Sequence, residues 1–368
     1  MLRRAISQYL DEDAAGSADP RLHDITLRVL LDLFEQDTYS SLNVRQLELL
    51  YAAGELTVLP AALTTYAGAC VTSGDFAQAA DLLERSDEIS AATGAPPHRS
   101  IRTYLAACRG QEQLGRELAR ATIEDATARG EGSEITVVLF SLAILHNGLG
   151  QYDEALTACI SALEFEDVGM YGHLLNETVE AAARSGQTGI AESAAAQLIE
   201  RAEATPTPTA LGYSARAKAL TTTGPAAEHH YRTAISELQR SPLAVMTARM
   251  HLLFGEWLRR ESRRAEARNE LRTAHELFGQ MGADGFVERT RRELQAAGEA
   301  VRKERRGGSS PALTTQESYI ARLAGDGYSN SEIASHLFIS PRTVEWHLGN
   351  IFGKLGVTSR RELRHKRE

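Results

Sequence analysis

Apolar residues along the first 300 positions recur at helical rather than strand spacing. In the stretch that begins Tyr152-Asp-Glu-Ala-Leu156, residues Tyr152, Ala155, Leu156, Cys159, Ile160 and Leu163 stand at the i, i+3, i+4 separations that line one face of an α-helix. The small side chains of Ala155 and Cys159 on that face are expected to let paired helices approach closely. Helix-length segments of this kind are interrupted at Gly74, Gly110, Gly150, Gly186 and Gly224, at spacings of 36, 40, 36 and 38 residues. A near-constant period in this range marks a solenoid, in which each unit buries its apolar face against its neighbours. The unit reads helix, glycine turn, helix. About six such pairs fit between residues 57 and 281, with less regular helices before them and a terminal helix near 284–305.

The pattern breaks at Lys303-Glu-Arg-Arg-Gly-Gly-Ser-Ser-Pro311, a charged run followed by glycine, serine and proline that has nothing to bury. This places a flexible linker at 303–312, between a helical-repeat domain at 1–302 and a second domain at 313–368. The second domain is densely punctuated with helix starts. Thr314-Thr-Gln-Glu317, Ser329-Asn-Ser-Glu332 and Ser359-Arg-Arg-Glu362 each fit a capping box, and Ser340-Pro341 puts a serine cap before proline at the first helical position. Gly325 and Gly327 end the first helix, Phe338-Ile339 form the turn before the third, and Gly356 ends the third. A short helix, a tight turn and a longer helix make a helix-turn-helix, whose second helix enters the DNA major groove.

Rotating that longer helix by about 100° per residue puts Val344, Leu348, Ile351 and Leu355 on one stripe, the expected core. Opposite lie Arg342, Trp346, Gly349 and Gly353, flanked by Thr343, Glu345 and Asn350. This is the expected reading face: the glycines permit close backbone approach, and the polar side chains carry groups that bond base edges or phosphates. Trp346 has the alternative of a partly buried packing role. His347 and Lys354 lie on the flank, the first suited to packing and the second to a phosphate. Ser329 and Asn330 open the second helix, where backbone N–H groups attract phosphate, and Ser340 opens the third.

Charge sharpens the division. Residues 301–368 carry 12 Lys/Arg against 7 Asp/Glu, a net of +5, and residues 1–300 carry 28 against 42, a net of −14. An acidic body does not suit an anionic partner, whereas the basic end does. The 368-residue length sets a prior of about two to three domains. With 6% aromatics and abundant alanine, the composition favours packed helices over sheets. The longest nearly apolar run, 136–146, is short of the roughly 20 residues that span a bilayer, and acidic residues follow soon after the N-terminal arginines. These features lead to the expectation of a cytoplasmic protein without a membrane partner. Cys70, Cys108 and Cys159 stand apart from one another, as buried thiols would, and form no metal or disulfide motif. No stretch fits GxxxxGK[ST]; Gly186-Gln-Thr-Gly189 lacks the lysine. His229-His230 reads as a solvated helix face. Neither an enzyme activity nor a cofactor is expected.

The repeat units resemble tetratricopeptide-like repeats. Leu313-Thr-Thr-Gln-Glu317, Gly327-Tyr-Ser-Asn-Ser-Glu-Ile-Ala334, Leu337-Phe-Ile-Ser-Pro-Arg-Thr-Val344 and Lys354-Leu-Gly-Val-Thr-Ser-Arg360 together resemble the LuxR-type DNA-binding domain. Thr343-Val-Glu-Trp-His-Leu348 is similar to the form found in the large ATP-binding LuxR-type regulators of actinobacteria, and the repeats resemble the part that precedes the DNA-binding domain in them. The resemblance implies an all-α transcription regulator: a helical-repeat solenoid that senses an effector or partner protein, then a four-helix domain that binds double-stranded DNA. A P-loop ATPase is absent from these residues, so ATP control does not carry over. Many family members have lysine where Glu345 stands and a longer polar side chain at Gly349. A DNA-facing role transfers to those two positions without a particular base preference. Residues 311–368 carry an excess of only +2, so one copy is expected to hold DNA weakly and a homodimer on paired half-sites to hold it well. RNA polymerase is a further partner such a regulator would meet. The competing expectation is a protein-interaction scaffold that titrates a partner while its DNA-binding domain is vestigial.

Overall fold

The computed structural model describes residues 2–14, 22–95, 97–299, 313, 315–337, 341–357 and 359–365. Twenty α-helices and no strand occur among the described residues. The expected linker at 303–312 lies outside them.

After α1 (Leu2–Ala14), the chain forms seven consecutive helical hairpins: α2 (His23–Asp32) with α3 (Gln36–Ala53), α4 (Leu59–Thr72) with α5 (Phe76–Thr93), α6 (Ser100–Arg109) with α7 (Glu112–Arg129), α8 (Gly132–Leu149) with α9 (Tyr152–Leu163), α10 (Tyr171–Arg184) with α11 (Thr188–Ala204), α12 (Pro208–Thr221) with α13 (Pro225–Leu238), and α14 (Ala244–Arg260) with α15 (Arg264–Met281). Helix α16 (Asp284–Ala296) follows. The first helices of successive hairpins pack on one another from α4 to α12, as in a solenoid. The last six hairpins span 59–281, as the glycine spacing leads one to expect.

The glycines work through turn chemistry. At Gly74, Gly110, Gly150 and Gly186, φ lies between 71° and 83°. The next residue donates its N–H to the carbonyl five positions back: Asp75 to Cys70 and Gln111 to Ala106 at 2.9 Å, Gln151 to His146 and Gln187 to Ala182 at 2.8 Å. This is a Schellman closure, which needs the left-handed conformation that glycine adopts without strain. Two hairpins close the same way without glycine, at Phe34 (φ 57°) and Ser262 (φ 62°). For Phe34 the strain is offset by burial: its ring is 1% exposed and lies edge-on to His173 and Tyr213, at 5.4 and 5.5 Å. It occupies space that Gly172 leaves free, since a Cβ there would stand 2.5 Å from the ring.

These contacts close the superhelix upon itself. The N-terminal hairpin reaches the loop before α10 through Arg28–Asp167 (3.2 Å), α11 through Asp32–Arg201 (2.8 Å) and the start of α12 through the Thr207 hydroxyl, which donates to the Phe34 carbonyl at 3.1 Å. On the other side α14 meets α4, and α16 meets α6 and α8. There the Gly110 and Gly285 backbones pass so closely that a Cβ at Gly110 would lie 2.4 Å from the Gly285 Cα.

The interior holds a charged cluster that the spacing of hydrophobic residues did not reveal. Arg249 bonds both carboxylate oxygens of Glu177 at 2.7 Å and reaches Glu180 at 2.6 Å; Arg216 also pairs with Glu180. Arg289 and Arg184 pair with Glu256. Burial alone would raise the Glu180 pKa, but Arg249, Arg216 and Arg289 bring it down to about 2. Such a cluster is costly to break, because removing one member strands the others in the interior.

Helix α9 departs in part from the expected face. Ala155 and Cys159 are fully buried and Leu156 nearly so, but Ile160 is 45% exposed, and Ala158 and Ala162 take its place in the contact. All three cysteines are buried as free thiols, and burial pushes those of Cys108 and Cys159 up to about 12. Among the described residues, Gly132–Leu149 is long and apolar enough to cross a membrane by composition, and 56% of it is buried within the fold.

Candidate nucleic-acid interface

The C-terminal unit comprises α17 (Thr315–Gly325), α18 (Asn330–Leu337), α19 (Pro341–Leu355) and α20 (Arg360–His365). Its core is drawn from its own residues, among them Ile320, Leu323, Ile333, Val344, Leu348, Ile351, Val357 and Leu363.

Local signals position the helices. The capping box at α18 forms in full: the Ser329 N–H donates to the Glu332 carboxylate at 2.7 Å, and the Glu332 N–H donates to the Ser329 hydroxyl at 3.2 Å. Helix α19 begins at Pro341 and ends before Gly356, whose φ is 62°. Thr314 of the first expected box lies outside the described residues, as do Phe338, Ile339 and Ser340.

Helix α19 has the expected two sides. Val344 and Ile351 are fully buried and Leu348 is 5% exposed, whereas Glu345, Gly349 and Gly353 face solvent. A Cβ added at Gly349 or Gly353 would meet nothing within 4 Å. The outer side is thus bare backbone at two positions four residues apart, one turn of the helix. By register, positions 342 and 346 share that side. The side chains of Arg342, Thr343, Trp346 and Asn350 lie outside the described residues.

Two expectations require correction. The Lys354 ammonium, expected on a phosphate, sits 2.7 Å from Glu317 Oε2, and the two side chains are only 6% and 8% exposed. It ties α19 to α17 and is spent on the fold. Ser329 is exposed, but its N–H and hydroxyl are used by the capping box, which also brings the Glu332 carboxylate to the start of α18 and disfavours a phosphate at that spot. Asn330 is half-buried at the same helix start. His347 is buried, as expected of a packing residue; burial lowers its pKa against the pull of Asp75, Glu317 and Asp81, where α19 comes against α5.

Tyr319 and Tyr328 escaped the sequence reading. Each is 38% exposed, and the Arg322 guanidinium lies 4.7 Å over the Tyr319 ring. Their signal was positional: Tyr319 and Arg322 flank the buried Ile320, Leu323 and Ala324 on α17.

A four-helix unit with a short second helix and a third helix that is apolar inside and bare outside has the form of a helix-turn-helix module. Residues 311–366 match the family described as bacterial regulatory proteins, luxR family, so the C-terminal part of this chain is a LuxR-family helix-turn-helix domain. It is similar to HTH-type transcriptional regulators of Mycobacterium bovis and Mycobacterium tuberculosis, at 47% identity over 66 residues, 18% of this chain and 7% of each relative. It is also similar to the oxygen regulatory protein NreC of Staphylococcus aureus, at 47% identity over 51 residues, 14% of this chain and 24% of that protein. The chain thus spans a small fraction of the mycobacterial relatives' length. The fold and these relatives support DNA binding by the C-terminal unit.

Proposed function

We propose that this chain is a sequence-specific transcription regulator that inserts α19 into the major groove of double-stranded DNA, binds paired half-sites as a homodimer, and takes an effector or partner protein on its helical repeats. The observation that carries this reading is the outer side of α19. Exposed Glu345, Gly349 and Gly353 stand opposite a buried Val344, Leu348 and Ile351 stripe. Bare glycine on a solvent face lets backbone come close to a groove wall, and the register adds Arg342, Thr343, Trp346 and Asn350 as the groups that would read bases or hold phosphates. The repeat domain at 1–302, joined through 303–312, contributes sensing rather than DNA contact, in keeping with its net charge of −14 over 1–300.

Genome-wide mapping of bound DNA would supply the operator, and salt titration of binding to that operator tests the reading. Binding should weaken steeply with salt. If Arg342 holds a phosphate, Arg342→Ala should reduce the salt slope by about one and lower affinity on all sequences alike; if it reads a base, discrimination at one position should relax. Salt-insensitive or sequence-indifferent binding would refute the assignment.

A further inference from the structure

The superhelix lines a half-open cavity of about 380 Å³, within the range of small-molecule sites. Protein interiors ordinarily leave few voids larger than a water molecule. The inner helices supply an apolar wall, with Ala61 of α4, Ile101 of α6, Val137 and Phe140 of α8 and Met246 of α14, and Leu27 of α2 covers it from the N-terminal hairpin. At its edge Val58 and Val168 are about half exposed, which gives the cavity an apolar lip toward solvent.

The cations at the wall are already matched; Asp24 and His98 also line it, His98 at 3.9 Å from Glu134. Arg249 is held by Glu177 and Glu180, and Arg28 by Asp167. Glu134 accepts the N–H and the hydroxyl of Ser100 at 3.1 and 3.0 Å. The His173 ring bridges the Tyr213 hydroxyl and the Gln36 amide at 3.1 and 3.3 Å. Hydroxyls of α4 turn back on their own helix, Thr64 to the Pro60 carbonyl at 2.9 Å and Thr65 to the Ala61 carbonyl at 3.0 Å. An anionic guest would lose its hydration without gaining a counter-charge. An uncharged apolar guest has little hydration to lose and would cover the apolar wall.

We infer that this cavity binds an uncharged, largely apolar small molecule, which names the chemical class of the effector and rests on the reading that the repeats sense one. The experiment uses a matched pair of fluorescent probes on the full chain: uncharged N-phenyl-1-naphthylamine and its sulfonated analogue 8-anilinonaphthalene-1-sulfonate. The uncharged probe should bind saturably at one per chain, and the sulfonated one at least about tenfold more weakly. Val137→Trp and, independently, Ala61→Trp should fill the void and weaken the uncharged probe by about tenfold or more, while Leu211→Trp, on an exposed position outside the cavity wall, should not. Thermal melting of each variant shows which of them is folded. Absence of saturable binding, equal or tighter binding of the sulfonated probe, or unchanged binding in a folded cavity-filling variant would each overturn the inference. Operator binding is measured on the same samples. Intact DNA binding with no probe binding refutes the cavity alone, and probe binding without DNA binding refutes the regulator reading while leaving the site.

Discussion

Glycine serves opposite purposes in the two parts of this molecule. Within the repeat helices several glycines stand where another atom needs the room: a Cβ at Gly172 would lie 2.5 Å from the Phe34 ring, at Gly212 2.6 Å from Leu238, and at Gly148 2.8 Å from Phe286, whereas Gly189 and Gly279, each within three residues of a helix end, meet nothing. On α19, Gly349 and Gly353 stand in open space. A glycine inside a helix costs roughly 0.5–1 kcal/mol against alanine. In the repeats that cost is offset by packing within the chain. At Gly349, in the middle of α19, nothing in the chain offsets it, as expected if that side of the helix is laid against a partner. The comparison singles out Gly349 without appeal to which residues carry polar groups.

The largest effect should come from breaking the interior of the repeats. Arg249→Ala leaves Glu177 and Glu180 short of their shared partner and should cost about 3–5 kcal/mol, read as a drop in the denaturant midpoint of the repeat domain. The C-terminal unit, which has its own core, should keep its helical signal. Leu348→Ala does the reverse, costing about 2–5 kcal/mol in the small unit and leaving the repeats intact. If either substitution melted both parts together, the division into two independent cores would fail.

Acid should act more gradually and on both parts in the same direction, since burial lowers the pKa of His347 in the C-terminal unit as it lowers that of His173 in the repeats. Burial lowers the His173 pKa to about 4, below the ordinary value of 6.5. The unfolded chain therefore takes up a proton between those values while the folded one does not, and stability falls as pH drops from 6.5 toward 4, by about 3 kcal/mol in all. His23, lowered by burial in the same direction, adds to the slope. Glu180, brought down to about 2, adds its loss only below its ordinary 4.5. His173→Phe should flatten the dependence between pH 6.5 and 4.5 in the repeats. A slope unchanged by that substitution would show that His173 is not the group responsible.

How much of this was legible in the sequence follows from distance along the chain. The Ser329–Glu332 capping box and the Val344, Leu348, Ile351 stripe rest on contacts within one or two turns, and both appear in the structure. Four of the five glycine breaks mark turns that need a left-handed residue, whereas Gly224 (φ 67°) caps the start of α13, and Phe34 and Ser262 close two further turns in that conformation without being glycine. The Lys354–Glu317 pair bridges 37 residues, and the Arg249–Glu177 pair 72. Nothing local to either residue marks its partner, so Lys354 was read as free for phosphate. Closure of the superhelix, and with it the cavity, depends on contacts such as Arg28–Asp167 across 139 residues, for which periodicity carries no signal.

The smallest change in stability gives the most direct test of the central claim. Gly349→Ala adds one methyl group to open space on the outer side of α19, so the C-terminal unit should become more stable by about 0.5–1 kcal/mol. If that side is the surface laid against DNA, the same substitution should weaken operator binding, and Gly349→Leu should weaken it further, by at least about tenfold, with the fold retained. Operator affinity unchanged in both variants while stability rises would contradict the account and place the DNA-binding surface elsewhere on the unit.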